Sequence, residues 1–155
     1  MKVQLIAVGT KMPDWVQKGY GEYAKRLPKD LAPNLIELNP GHRAKNASVS
    51  AAIAGEGQAI INAIPANDRV VALDVQGKAW STEQLGAKLA DWRMDGFNLS
   101  FVIGGPNGLA KAVLDRADAK WSLSNLTLPH PLVRVVFIEQ LYRAWTLLNG
   151  HPYHK

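Results

Sequence analysis

The residues best suited to chemistry lie in an apolar segment toward the carboxyl end of the chain. Arg134, Glu139 and Arg143 interrupt a stretch that is otherwise rich in leucine and valine. Charges in such a segment are costly to bury without partners, so these three are candidates for a catalytic site at a subunit junction. Glu139 and Arg143 are also four residues apart, and an ordinary salt bridge along one helix explains that spacing about equally well.

Groups that suit RNA recognition occur in the tail and in one basic loop. Tyr153 can stack on a base, and His154 and Lys155 can hold phosphates. Arg43 and Lys45 add positive charge between two predicted elements. A short polar tail is also typical of disorder, and that alternative stays open.

Composition excludes several chemistries and permits others. The 155 residues are 47% hydrophobic and contain no cysteine, which suits one globular domain, residues 1–155, without disulfides or thiolate ligands. His151 and His154 are weak evidence for a metal, and we predict none. The formal net charge of +5 permits a polyanionic partner such as RNA, although a solvated basic surface explains it as well.

The first apolar run is shorter than a targeting or membrane segment. Gln4 interrupts it and Gly9 ends it, so residues 3–8 fit a buried strand better than a signal peptide or a membrane span. We therefore expect a cytoplasmic protein with no membrane association.

Strand-like runs alternate with helical patterns along the chain. The predicted strands cover residues 3–8, 35–38, 69–74 and 99–103, and residues 121–128 form another strand or an extended loop. Helices are predicted from Pro13 to Pro28, over 47–63, behind a capping box at Ser81 and Gln84, from Gly108 to about Asp118, and from His130 to about Asn149. This alternation predicts an α/β fold with a parallel sheet flanked by helices.

Three loops at the predicted carboxyl ends of strands are the best candidates for a binding site. They cover residues 73–77, 103–108 and 123–128. Ligands of open parallel sheets bind at that edge, and the glycines beginning at Gly104 would let a ligand approach the backbone. The second loop is neither G-x-G-x-x-G nor a phosphate loop, which disfavours dinucleotides. An ordinary tight turn is the alternative.

The last predicted helix is apolar on nearly every side. A helix of this kind must be buried on more than one face, and in a domain of this size a two-fold subunit interface can supply the second face. The sequence therefore indicates a homodimer. The alternative is a central helix within the core of one subunit.

Several segments resemble one known family over essentially the whole chain. They are Val8-Gly9-Thr10, Val71 to Asp74, Phe101 to Gly108, Leu123 to His130, Val133 to Ala144 and Tyr153-His154-Lys155. The chain is thereby similar to the bacterial ribosomal RNA large-subunit methyltransferase H family, which belongs to the SPOUT class of knotted methyltransferases. The resemblance implies a carboxyl-terminal trefoil knot, an exception to the usual unknotted topology.

The same resemblance implies a cofactor and a substrate. S-adenosylmethionine would lie in the knot against Leu73, Gly104 and the run Leu123, Ser124, Asn125, Leu126, Thr127 and Leu128. The methyl acceptor would be N3 of a pseudouridine in helix 69 of 23S rRNA, methylated on the assembled ribosome. Methylation of another RNA such as tRNA, and a non-catalytic ribosome-binding module, are the alternatives.

The implied reaction limits what the protein must do. A sulfonium-bound methyl is already activated, so the enzyme must align the acceptor nitrogen and help it lose its proton. Arg134 and Arg143 are candidates to stabilise the resulting anion. His130, Glu139 and His154 are the candidate bases.

Overall fold

The computed structural model describes residues 1–43 and 48–154. Its strands are β1 (Val3–Val8), β2 (Asn34–Leu38), β3 (Arg69–Ala79), β4 (Leu99–Ile103) and β5 (Ala119–Ser122). Its helices are α1 (Asp14–Ala24), α2 (Val49–Ala63), α3 (Thr82–Asp95), α4 (Lys111–Arg116) and α5 (His130–Leu148), followed by a 3₁₀ turn at Pro152–His154.

The five strands form one parallel sheet in the order β2-β1-β4-β3-β5. Phe101 of β4 pairs with Leu5 of β1 on one side and with Val71 of β3 on the other. All three side chains are buried, because parallel strands are covered on both faces. The predicted α/β class with a helix-flanked parallel sheet is confirmed.

Helices cover the two faces of the sheet unequally. Leu5 and Phe101 point toward α1, α3 and α5, where they pack with Leu89, Phe137 and Leu141. The alternate strand residues point to the other face and pack beneath α2 and α4, as the side-chain period of a strand requires. The larger core is therefore built around α5.

Local sequence signals fix several helix starts. The Ser81 side chain accepts from the Gln84 N–H, and the Gln84 side chain accepts from the Ser81 N–H, which is a complete capping box. Pro13 precedes α1, and Asp14 places a negative charge in its positive first turn. Helix α5 carries Pro131 in its first turn, where the missing N–H has no helical partner to lose.

Helix α1 ends at Ala24 instead of Pro28, and β5 covers Ala119–Ser122 instead of 121–128. Two further elements differ in length from their prediction. Strand β3 continues past Gly77 to Ala79, because the chain bulges out after Leu73 and then pairs with β5 again at Lys78. Helix α4 has only six residues and ends at Arg116, where the next segment turns to pair with β3 through the Asp118 N–H and the Val70 carbonyl. Both differences come from pairing between distant segments.

Helix α5 is buried between α1 and α3 of its own subunit. Phe137, Ile138, Leu141 and Ala144 have no exposed surface. This placement supports a central core helix as the explanation for its apolar sequence, and the homodimer stays a prediction. Across residues 1–43 and 48–154, no helix combines the length and apolar character that a bilayer crossing needs.

Candidate functional site

The three predicted loops meet around one cavity of about 710 Å³, formed by the bulge within β3 and the segments that follow β4 and β5. Leu73 and Gly104 line it, as do all residues of the 123–128 run except Asn125, whose side chain is exposed. The cavity is also lined by Asp74, Val75, Gln76, Ile103, Gly105, Pro106, Asn107, Gly108, Leu109, Leu114, Trp121, Pro129, His130 and Val133. Its place in the sheet matches the general site of ligands in open α/β folds.

The bulge in β3 forms one wall. Leu73 and Lys78 both pair with Trp121, so residues 74–77 loop outward beside the cavity. Gly77 brings this loop back against β5, since a Cβ there would lie 2.7 Å from the Lys120 carbonyl carbon. A side chain at that position would push the wall away from the sheet.

The second wall is the glycine loop, residues 104–108. The Gly108 N–H donates to the Gly105 carbonyl at 3.1 Å, and Gly108 has a φ of +84° that favours glycine. A Cβ on Gly104 would lie 2.7 Å from the Gly108 carbonyl oxygen. Gly104 therefore lets the loop close on itself, whereas the sequence suggested only that it gives a ligand room.

The third wall is the segment between β5 and α5. The Ser122 hydroxyl donates to the Ser124 carbonyl, and the Ser124 Oγ accepts from the Leu126 N–H, each at 2.9 Å. These bonds turn the chain so that the Leu126 side chain is 73% exposed at the cavity mouth. An apolar side chain exposed there suits contact with a ligand or a second subunit.

Sequence reasoning missed much of the apolar cavity floor. Leu109, Leu114, Trp121 and Val133 all line it. Trp121 is near the end of β5, Leu114 and Val133 are on helices, and Leu109 lies just before α4, so the sequence pattern assigns all four to the core. The only signal that could have found them is their nearness to the three loops.

His130 is the candidate base that lines the cavity. Its Nδ1 is buried and has no hydrogen-bond partner among the described residues. Burial lowers the pKa of the His130 imidazole, and the positive charges of Arg134 and Arg43 act in the same direction, while Glu56 opposes them. The neutral form is therefore favoured at pH 7, as a proton acceptor requires.

We expect NMR titration to give His130 a pKa below the ordinary histidine value of about 6.5. Because the folded-state pKa is lowered, the unfolded chain binds more protons than the folded protein at pH values between that pKa and about 6.5. The stability contributed by neutral His130 is present above about pH 6.5 and lost as pH falls through the folded-state pKa. His130→Gln should remove this part of the pH dependence of unfolding, and a folded-state pKa at or above 6.5 would contradict the burial argument.

Arg134 lies one turn further along α5 and is buried, with 2% of its surface exposed. Its Nη1 donates to Glu37 Oε2 at 2.5 Å, and its Nη2 donates to the Gly9 carbonyl at 2.8 Å. It joins the start of α5 to the carboxyl ends of β1 and β2. These two donors are thus directed into the protein instead of the cavity, while the buried Nε has no hydrogen-bond partner among the described residues.

Glu139 and Arg143 form the helical salt bridge that their spacing allows, and Tyr153 joins them. Glu139 Oε1 accepts from Arg143 Nη2 at 2.5 Å and from the Tyr153 hydroxyl at 3.0 Å. The Glu139 bond raises the pKa of Arg143, and burial together with bonds to Tyr23 and Glu139 raises the pKa of Tyr153. Glu139 is about 9 Å along α5 from Val133 at the cavity edge, so this cluster lies outside the cavity.

Of the remaining predicted RNA contacts, the structure describes Tyr153, His154 and Arg43. The Tyr153 ring packs against Tyr142, with ring centroids 4.7 Å apart, and lies beneath the Arg143 guanidinium. His154 is half-buried in the same 3₁₀ turn. Lys45 and Lys155 lie outside the described residues. The Arg43 side chain contacts Glu56 and Asn107.

No set of three metal-ligating side chains converges within residues 1–43 and 48–154. The chemistry available at the cavity is that of apolar surface, backbone amides and carbonyls, and a few polar side chains: the Asp74 carboxylate, the Gln76 and Asn107 amides, the hydroxyls of Ser124 and Thr127, and the His130 imidazole. Such a lining binds and orients a small organic molecule.

Comparisons with known proteins agree on one family. A family model described as "Predicted SPOUT methyltransferase" matches residues 1–154. The chain is 62% identical to ribosomal RNA large subunit methyltransferase H of Saccharophagus degradans and 57% identical to that of a Marinomonas species, each match covering 100% of both chains. In fold it resembles a probable methylase family protein from Haemophilus influenzae, with a TM-score of 0.56 at 10% identity over 99% of this chain and 70% of that one.

Proposed function

We propose a reaction for this chain from one premise: it belongs to the SPOUT methyltransferase family and, within it, to the ribosomal RNA large subunit methyltransferase H family. The chain is a methyltransferase. The proposed donor is S-adenosylmethionine, and the proposed acceptor is N3 of a pseudouridine in helix 69 of 23S rRNA on the assembled ribosome. An rRNA substrate gives it a cytoplasmic place of action.

The cavity fits the proposed donor in size and in kind. Its volume of about 710 Å³ lies within the range of roughly 300–1,000 Å³ that small-molecule sites occupy. Leu109, Leu114 and Val133 supply an apolar floor for an adenine ring, and the backbone of the glycine loop offers polar groups for its edge. The carboxylate of Asp74 stands at the same cavity and suits a donor that carries positive charge. The trefoil knot follows from the family as part of this proposal.

One observation carries the proposal most strongly. Three segments that are distant in the sequence, the bulge within β3 and the loops after β4 and β5, converge on a single cavity, and they overlap several of the segments by which the chain resembles its family. A turn at Gly104 with only a structural role would not require residues 123–128 to line the same cavity. The arrangement supports donor binding at the carboxyl edge of the sheet.

Donor and acceptor alignment is the main task of the protein's own groups. The donor supplies a methyl group bonded to a positively charged sulfur, which is already activated for transfer. The cavity walls fix its orientation and exclude water, so that the acceptor nitrogen meets it at the right distance and angle. His130, neutral and at the cavity, is placed to accept the proton that N3 loses.

Arg143 is better placed than Arg134 to stabilise the anion that forms on the base. Both identified donor atoms of Arg134 bind protein acceptors inside the fold, while Arg143 is 28% exposed beside Glu139. Since the Arg143 cluster lies outside its own cavity, we propose that a homodimer brings the cluster of one subunit to the cavity of the other. Light scattering in solution measures that stoichiometry.

Transfer of tritium from labelled S-adenosylmethionine to ribosomes tests the reaction. Ribosomes from a strain without the modification should become labelled, and mass mapping should place the methyl group on a helix 69 pseudouridine. Met94→Ala, at a side chain 86% exposed on the end of α3, serves as a surface control that labels normally. Labelling of tRNA instead would redirect the proposal to another RNA.

The net charge of the chain favours the intact ribosome over isolated 23S rRNA as the substrate. A net charge of +5 over 155 residues gives only weak binding to naked RNA, so ribosome shape must supply part of the affinity. Tyr153 and His154 are the proposed RNA contacts in the described tail. Labelling of intact ribosomes should exceed that of isolated 23S rRNA, and equal labelling would contradict this requirement.

A further inference from the structure

We propose that Arg43 and Glu56 form a positioning pair that holds the glycine loop, and so sets donor affinity, without touching donor or RNA. The inference rests on the proposed function, because it concerns the cavity in which the donor would bind. It also assigns Arg43 a different role from the phosphate contact that its charge suggests.

Glu56 is the fixed end of this pair. It lies on α2, and only 2% of its side chain is exposed. Its Oε2 accepts from the Gly41 N–H at 2.8 Å and from Arg43 Nη1 at 2.6 Å. A buried carboxylate needs such partners, since an unpaired charge in that position would be strongly destabilising.

Arg43 carries the connection to the cavity. While its Nη1 binds Glu56, its Nε donates to Asn107 Oδ1 at 2.9 Å. Asn107 belongs to the glycine loop and lines the cavity. The planar guanidinium thus bridges a helix on one side of the sheet and the loop at its carboxyl edge, a task that suits the fork geometry of arginine.

Two neighbouring residues of α2 also pack beside this bridge, Glu56 against the glycine loop through its side chain and Gly57 against Ala110 just beyond the loop. A Cβ on Gly105 would lie 3.2 Å from Glu56 Oε1, and a Cβ on Gly57 would lie 2.6 Å from the Ala110 Cβ. Residues 56 and 57 therefore pack against the start of the loop and the residue that follows Leu109. Movement of Glu56 would be transmitted directly to the cavity wall.

The state of Arg43 disfavours a phosphate contact. Its side chain is 22% exposed, against 88% for Lys111 at the start of α4. The hydrogen bond to Glu56 raises the pKa of Arg43, and the pair as a whole is neutral. A phosphate would have to compete with a buried carboxylate for the same guanidinium.

Arg43→Lys separates the two roles because it keeps the charge and loses the fork. Calorimetry with S-adenosylmethionine should show donor affinity about 10-fold weaker in Arg43→Lys, Arg43→Ala and Glu56→Gln alike, the size expected for losing a charge-assisted hydrogen bond. Lys111→Ala is the matched control at an exposed cation and should bind donor normally. Wild-type donor affinity in Arg43→Lys would overturn the inference.

The salt dependence of ribosome binding gives a second measure, which separates a positioning role of Arg43 from a phosphate contact. Loss of a phosphate contact makes the logarithmic salt dependence of ribosome binding shallower by about 0.7–0.9 per contact, whereas loss of a positioning residue leaves it unchanged. A shallower slope in Arg43→Ala would therefore also overturn the inference.

Amide exchange tests the pair without donor. The Gly108 N–H, which closes the glycine loop, should exchange faster in Arg43→Lys than in the wild type, and unchanged exchange would count against the pair. If the wild type binds no S-adenosylmethionine and exchange still rises in the variant, the proposed function fails while the positioning of the loop stands.

Discussion

Replacing Gly104 by alanine is expected to weaken donor binding and to slow methyl transfer by about 100-fold while the protein stays folded. The new Cβ would lie 2.7 Å from the Gly108 carbonyl oxygen and 2.8 Å from its carbon, and backbone cannot move aside as a flexible side chain can. The glycine loop must open, and a cavity wall displaced by even about 1 Å no longer holds a ligand in register. Calorimetry with S-adenosylmethionine measures the loss.

Gly55→Ala is the matched control for this change. Gly55 lies exposed in the interior of α2, with no atom within 4 Å of the position a Cβ would take. Alanine there should stabilise the fold by about 0.5–1 kcal/mol and leave donor affinity unchanged. If Gly104→Ala bound donor as tightly as Gly55→Ala, the glycine loop would not form the donor site.

The same substitution at two arginines of α5 should affect mainly stability at Arg134 and mainly activity at Arg143. Arg134→Met removes two charge-assisted hydrogen bonds, to Glu37 and to the buried Gly9 carbonyl, and should destabilise the fold by about 2–5 kcal/mol. Arg143→Met breaks a partly exposed pair four residues apart and should change stability by only about 0.5 kcal/mol. Methionine and arginine have similar helix propensity, so α5 itself is not the variable.

The methylation rate per folded molecule should fall more in Arg143→Met than in Arg134→Met, the reverse of their order in stability loss. Arg143→Met should lower kcat by at least about 100-fold if Arg143 stabilises the developing anion. Urea denaturation measures the first effect, and tritium transfer at a temperature where both variants are folded measures the second. Normal methylation by Arg143→Met would remove that residue from the mechanism, and a fully stable Arg134→Met would show that Arg134 does not join α5 to the sheet.

Patterns confined to one segment were predicted well from the sequence. The bounds of β1 and β4 match the predicted 3–8 and 99–103, because each is a short apolar run closed by glycine or turn residues. The capping box at Ser81 and Gln84 also forms as predicted. Parallel topology followed from the alternation of strands and helices, since parallel neighbours need a crossover between them.

Features that depend on distant contacts were not predictable in the same way. Gly77 resembles a strand end until β5 is known to pair with residues on both sides of it. The burial of Arg134 depends on Glu37 and Gly9, which are about a hundred residues away in the chain. The contact of Tyr153 with Glu139 likewise requires the tail to fold back on α5, which no local pattern indicates.

The candidate site was predicted in outline and missed in detail. The three loops were identified because ligands of parallel sheets bind at strand ends, and Leu73, Gly104 and most of 123–128 do line one cavity. The charge on Arg43 suggested RNA contact, and only the structure shows its bonds to Glu56 and Asn107. Charge is visible in a sequence, but the partner that neutralises it is not.

The position of α5 at the centre of the larger core has a consequence for synthesis of the chain. Because α5 is translated after all five strands, Leu5 and Phe101 lack their covering side chains Phe137 and Leu141 until α5 itself has been synthesised. Until then one face of the sheet is only partly covered, and its exposed apolar surface favours self-association. Nascent chains stalled before residue 130 should therefore bind chaperones, and release of the last helix should end that dependence.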